Sequence, residues 1–193
     1  DGEDEIPGKA ADGAKALIDE LHSALDPKAY RKAVALLAES EFIDIFGVEN
    51  SLTPAMDLFT KLGYLGLTCR LNTDAYLQQI GAGHLPHGAV AVAFSHSGSS
   101  ADTVKALRLA KSHGAKTIAI TNAIGAPLAS WADVTLLTGR DSHTIYGNAI
   151  FSRVADTALV DMLYMGVILS DYGRFSTALD ESGRMIRDRV FEN

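Results

Sequence analysis

The sequence predicts an α/β fold: a three-layer αβα sandwich on a doubly wound, five-stranded parallel sheet, with further helices at both ends of the chain. Three observations predict it. Five short strand-like runs lie between Phe42 and Leu137, and those such as Ala89 to Phe94 lack the polar alternation of a half-exposed strand; strands apolar on both faces belong to parallel sheets covered by helices. Segments with three-and-four apolar spacing separate these runs, and right-handed crossovers lay such helices on both faces of the sheet. No low-complexity stretch or linker divides the 193 residues, so a single core is expected.

The elements follow in order. Ala14, Leu17, Ile18, Leu21 and Leu25 fall on one side of a helix from Ala10 to Leu25. Asp26-Pro27 then starts a second helix that runs to Ala38, because Asp caps well and Pro fits a first turn. Residues 1–41 thus read as an N-terminal helical extension. Phe42 to Phe46 is the first strand, ending at Gly47, and Thr53-Pro54 opens and caps a helix through about Leu65. Leu67 to Leu71 is the second strand, followed by a helix near Thr73 to Gly81. Ala89 to Phe94 is the third strand, and Ser100 to His113 a helix stopped by Gly114. Lys116 to Thr121 is the fourth strand, Pro127 to Trp131 a short helix, and Val134 to Leu137 the fifth strand. Residues 42–170 hold this alternation, and 171–193 read as a C-terminal helical tail, with Gly166 and Gly173 as interruptions in the helical region. Val154 to Leu169 is the most apolar long segment. Asp156 and Asp161 break it, so it reads as a buried or interface helix and not as a membrane span.

Composition narrows the partners. Seventeen Lys and Arg stand against 24 Asp and Glu, a formal net charge of -7. That balance disfavours direct binding of nucleic acid, whose phosphate backbone calls for a basic surface. A small anion is compatible with it, since it needs only a local cluster of N–H donors. The one cysteine, Cys69, forms no internal disulfide and points to a reducing, cytoplasmic setting. Within Leu67 to Leu71 it reads as a small core residue and not a reactive thiol. There is no N-terminal signal pattern, and the Met-less start at Asp1 suggests part of a longer protein.

The chemistry concentrates after the third strand. Ser95-His96-Ser97-Gly98-Ser99-Ser100 places four serines, a histidine and a glycine immediately before a helix. A helix start presents free N–H groups and the positive end of its dipole, serine hydroxyls add donors, and glycine allows a tight approach. This describes a cradle for a phosphate monoester. The Gly-x-x-x-x-Gly-Lys pattern of nucleotide triphosphate sites is absent. A plain helix cap accounts for Ser99, paired with Asp102 three residues on, but leaves Ser95, Ser97 and Ser100 unexplained. Ligands in such folds sit outside the carboxyl ends of the strands, which makes Gly47-Val48-Glu49-Asn50-Ser51 the second wall. Asn50 and Ser51 there can bond sugar hydroxyls or a phosphate oxygen, or simply form a turn before the next helix.

These segments resemble a SIS (sugar isomerase) domain, and in particular the effector domain of RpiR-type bacterial transcription regulators. The resemblance rests on Phe46 to Ser51, Ala93 to Ser100, Ala119-Ile120-Thr121-Asn122, Pro127-Leu128-Ala129 with Ala132-Asp133, and Phe151-Ser152-Arg153-Val154-Ala155 leading to Leu159-Val160-Asp161. It covers roughly two-thirds of the chain, from Ile43 to about Met165. It implies a flavodoxin-like sheet, a phosphate held by Ser95, Ser97 and Ser100 with help from Gly98 and Ser99, and a sugar facing Gly47, Glu49, Asn50, Ser51 and Asp141. Two positions depart from the pattern. Glu49 stands where the first loop usually has its second glycine, and Asp141 where relatives often carry Glu. A positive φ at Glu49 would be strained.

Three functions are compatible with this reading. The resemblance implies a phosphosugar sensor, homodimeric or homotetrameric, that meets DNA only through a helix-turn-helix domain lying upstream of these residues; residues 10–40 are too short and acidic to supply one. The alternative is a stand-alone aldose–ketose isomerase, which needs an acid–base group. Glu49, Asp141 and His143 are its first candidates, with His84, His87 and His96 beside them, and none of the six stands in a spacing that identifies a base. A third is a scaffold dimerising through Val154 to Leu169. No cofactor is implied, and His84-x-x-His87 lacks further ligands for a metal.

Overall fold

Five parallel strands pair in the order β2-β1-β3-β4-β5. They are β1 (Ile43–Phe46), β2 (Cys69–Leu71), β3 (Val90–Phe94), β4 (Lys116–Thr121) and β5 (Val134–Leu137). The computed structural model describes residues 2–140 and 152–187. Its helices are α1 (Ile6–Ala24), α2 (Pro27–Glu39), α3 (Leu52–Tyr64), α4 (Ala75–Ala82), α5 (Ala101–Ser112), α6 (Val154–Ser170) and α7 (Tyr172–Met185). The predicted doubly wound sandwich is therefore the fold, and strand order reverses direction between β1 and β3, the switch point at which such sheets bind ligands.

The three central strands are buried on both faces, which is why their sequences carry no alternation. On one face α1, α2, α3, α6 and α7 enclose Leu21, Leu37, Leu58, Leu62, Leu163 and Phe175, all fully buried. On the other, α4 and α5 cover small residues, among them Ala91, Ala93 and Ala119, with Leu107 and Leu128. Asp44 is the charged exception within β1. Its carboxylate takes two bonds from Arg70, Nε at 3.0 Å and Nη2 at 2.6 Å. Burial nonetheless pushes the Asp44 carboxyl above its ordinary range, against the opposing pull of Arg70.

Several expectations need correction. Gly166 does not interrupt a helix: it lies inside α6, where a Cβ would meet the Tyr30 hydroxyl at 2.4 Å and Val34 at 2.7 Å. Its lack of a side chain lets α6 approach α2 closely. Gly173 likewise lies inside α7, and the break falls at Asp171, whose carboxylate caps α7 by accepting from Arg174 N at 3.1 Å. Thr53 and Pro54 do not cap α3 but lie in its first turn, behind a 3₁₀ turn over Glu49–Ser51. Much of the apolar surface of α6 is buried within the chain, with Leu159, Val160, Leu163 and Val167 fully covered, while Met165 and Leu169 are exposed. Cys69 is half-buried against the core, and burial pushes its thiol up to about 12, the opposite of an activated nucleophile. Among the described residues no helix is long and apolar enough to cross a membrane.

Candidate functional site

A cavity of about 540 Å³ opens at the carboxyl ends of β1 and β3, within the size range of small-molecule sites. Its walls come from three loops. Val48, Glu49, Asn50 and Ser51 follow β1; Ser95, His96, Ser97, Ser100 and Asp102 follow β3; Arg153 precedes α6.

The β3 loop is held by backbone geometry that only its sequence permits. Gly98 has φ +62°, and a Cβ there would lie 2.3 Å from the Cβ of Ala126 and 2.8 Å from Thr121 Oγ1. Gly98 N donates to Ser95 O at 3.0 Å, and its carbonyl accepts from Leu128 N at 2.9 Å. The carbonyl of His96 accepts from Thr121 Oγ1 at 3.1 Å and from Asn122 N at 3.0 Å. The loop is thereby fastened to the exit of β4 on both sides of Ser97.

The capping pair expected of Ser99 and Asp102 is not formed. The cap position of α5 is Ser100, and Asp102 instead accepts from Gln79 Nε2 of α4 at 3.0 Å. Ser99 is exposed, does not line the cavity, and donates its hydroxyl to Ser97 O at 3.3 Å. The reason is tertiary: α4 supplies a donor for Asp102, and the helix starts one residue later. Ser100 makes no cap bond to the helix and accepts instead from Thr103 Oγ1 at 3.3 Å. Ser51, the cap residue of α3, makes none either. By contrast α2, α4 and α7, which start elsewhere, are each capped by an aspartate, Asp26, Asp74 and Asp171. The start of α5, facing the cavity without a side-chain cap, therefore keeps N–H groups for another acceptor.

The β1 loop carries the strain anticipated for it. Glu49 has φ +52°, the only positive φ at a non-glycine among the described residues, a conformation that costs an L-residue roughly 1–2 kcal/mol. The loop is clasped from below by Gln78, a residue that the sequence reading passed over. Gln78 is buried, donates from Nε2 to Gly47 O at 2.7 Å, and accepts from Gly47 N at 3.2 Å.

The structure thus brings together Ser95, Ser97, Ser100, Glu49, Asn50 and Ser51, and adds His96, Asp102 and Arg153. Gly47, Gly98 and Ser99 do not line the cavity; the two glycines shape its loops. His84 and His87 are exposed in the loop leading into β3, at the opposite end of the sheet. Asp141 and His143 lie outside the described residues. Among the described residues no three His, Cys, Asp or Glu side chains are grouped to hold a metal.

Residues 36–166 match the SIS domain family. An uncharacterized HTH-type transcriptional regulator of Caldanaerobacter subterraneus subsp. tengcongensis is 30% identical over 96% of this chain and 66% of its own length. The HTH-type transcriptional regulator HexR of Escherichia coli K12 is 28% identical over 100% of this chain and 66% of its own. The chain spans between 51% and 66% of the length of these and similar curated relatives. Among solved structures, the Vibrio vulnificus NanR protein complexed with ManNAc-6P superposes with a TM-score of 0.90 at 24% identity, covering 97% of this chain and 70% of that one. The sugar isomerase domain of an RpiR transcription factor from Sphaerobacter thermophilus superposes at 0.84 with 22% identity, over 93% and 99% of the two chains. At these identities the structural likeness shows a shared fold.

Proposed function

The chain belongs to the SIS domain family, and on that premise we propose that it is the phosphosugar-sensing effector part of an RpiR-like transcription regulator. One observation carries the reading: a serine loop, built around a glycine that tolerates no side chain, opens an uncapped helix onto a cavity at the sheet's switch point. Ser97 and Ser100, with Ser95, would hold the phosphate through their hydroxyls and the free N–H groups of α5. Asn50, Ser51 and Glu49 would face the sugar, and Asp141 would join them from the β5 exit. The NanR complex with ManNAc-6P supports a sugar phosphate as the ligand class.

DNA contact would belong to a helix-turn-helix segment outside these residues, in keeping with the greater length of the HTH-type relatives. A homodimer or homotetramer would match paired DNA half-sites, and the setting would be cytoplasmic. The second reading, an aldose–ketose isomerase, has support in the Glu49 carboxylate and the His96 imidazole that line the cavity. A thermal-shift panel of aldose, ketose and amino-sugar phosphates, run beside coupled isomerase assays, separates the two. Stabilisation by one or a few phosphosugars without turnover fits the sensor. Turnover lost in Glu49→Ala supports the isomerase and removes the sensor reading.

A further inference from the structure

Arg153 is a cavity residue for which the phosphate cradle has no use. It stands at the start of α6, and its side chain is 13% exposed. Its Nε and Nη1 are buried without a hydrogen-bond partner among the described residues. Its ion-pair partner among the described residues, Asp156 Oδ2, is 4.0 Å from Nε, beyond hydrogen-bond reach. Burial pushes the Asp156 carboxyl above its ordinary range, against the pull of Arg153 and a bond with Thr138. A guanidinium stays charged at any physiological pH, so it cannot lower its desolvation cost by losing a proton. An anion delivered by a ligand removes that cost.

Position in the fold says which end of the ligand this is. The serine loop opens α5, which packs on one face of the sheet, whereas α6 packs on the other. The two therefore stand on opposite walls of one cavity, across the ends of β1 and β3. A phosphate seated on Ser97 and Ser100 leaves the remainder of the molecule pointing toward α6. Glu49 and Asp102 put negative charge on the walls nearer α3 and α5, and among the described lining residues Arg153 alone carries a permanent positive charge. Resting on the phosphosugar reading above and deepening it, we infer that Arg153 holds a carboxylate at the far end of the ligand. The ligand class is then an acidic phosphosugar of the aldonate type, and Arg153 is the residue that distinguishes it from a neutral aldose phosphate.

The test is calorimetric titration of this chain with D-glucose 6-phosphate and 6-phospho-D-gluconate, which share a phosphate end and differ at carbon 1. Wild type should bind the gluconate about tenfold more tightly or better, the scale of one charge-assisted bond. Arg153→Gln should weaken the gluconate far more than the glucose ester, leaving a ratio of about two, and Arg153→Lys should fall between. A circular-dichroism melt establishes folding; if the Gln variant fails it, the Lys variant and the wild-type ratio decide. Equal wild-type binding of the two esters overturns the inference, as does loss of both to the same extent in either variant, which makes Arg153 a phosphate ligand. Should glucose 6-phosphate bind in a Ser97-dependent way without gluconate preference, the Arg153 inference fails alone. Should neither ester nor inorganic phosphate give heat, the phosphosugar reading fails with it.

Discussion

Gln78 grips Gly47 from both sides: its amide Nε2 donates to the Gly47 carbonyl at 2.7 Å while its Oε1 accepts the Gly47 N–H at 3.2 Å. The same Nε2 donates to Asn72 O at 2.8 Å. One buried side chain on α4 thus fixes the loop that follows β1 and, with it, one wall of the cavity. Gln78→Ala leaves the Gly47 donor and acceptor without this partner, so a loss of roughly 2–4 kcal/mol is expected. Urea denaturation measures it, and a loss below about 0.5 kcal/mol would show that the clasp contributes little.

Gly98 is expected to be intolerant for two reasons that act together. Alanine there would hold an unfavourable φ of +62° and drive its Cβ to 2.3 Å from Ala126. Gly98→Ala should cost about 3 kcal/mol or more, or prevent folding. The companion change Ala126→Gly opens that contact, so the double variant should recover part of the loss in a thermal melt.

Glu49 gives the converse case. Its φ of +52° is a strain that Ala keeps and Gly releases. Glu49→Gly should therefore be more stable than Glu49→Ala by about 1 kcal/mol, although glycine gains more freedom in the unfolded chain. Both remove the carboxylate, so both should alter phosphosugar binding alike. Unfolding midpoints and affinities of the pair check the two halves of this expectation separately.

Asp133 should dominate part of the acid response. Burial raises its carboxyl, but bonds from Lys111 and from Thr117 N at 2.9 Å and Oγ1 at 3.1 Å outweigh that and hold it below the ordinary value. A group whose folded pKa is depressed stabilises above its unfolded pKa of about 3.9 and loses that contribution as pH falls through the folded value. Urea unfolding from pH 7 down to pH 3 should show this decline in wild type. In Asp133→Asn stability should be lower at pH 7 and less dependent on pH at the acid end.

The sheet was legible because its signals are local. β4 and β5 begin and end where their apolar runs do, and Asp26-Pro27 starts α2 as its chemistry dictates. The serine loop was legible because donors and a glycine are adjacent in the chain. What escaped depends on neighbours distant in sequence. Ser99 and Asp102 read as a cap until α4 brought Gln79 to Asp102. Gln78 looks like any polar helix residue, and only tertiary packing buries it. Arg153 was part of the resemblance but gained a place in the cavity only when α6 crossed to the sheet's carboxyl edge. The strain at Glu49 was foreshadowed by its departure from a glycine, and the backbone then showed it.

The central claim, that the serine loop binds the phosphate of a sugar, is tested most directly by calorimetric titration of a responsive phosphosugar into wild type, Ser97→Ala and Ser100→Ala. Each hydroxyl lost should cost about 1.5–3 kcal/mol, roughly one to two orders of magnitude in affinity, with the melting temperature of the free protein nearly unchanged. Heats and affinities identical in all three proteins would contradict the claim and remove the phosphate from this loop.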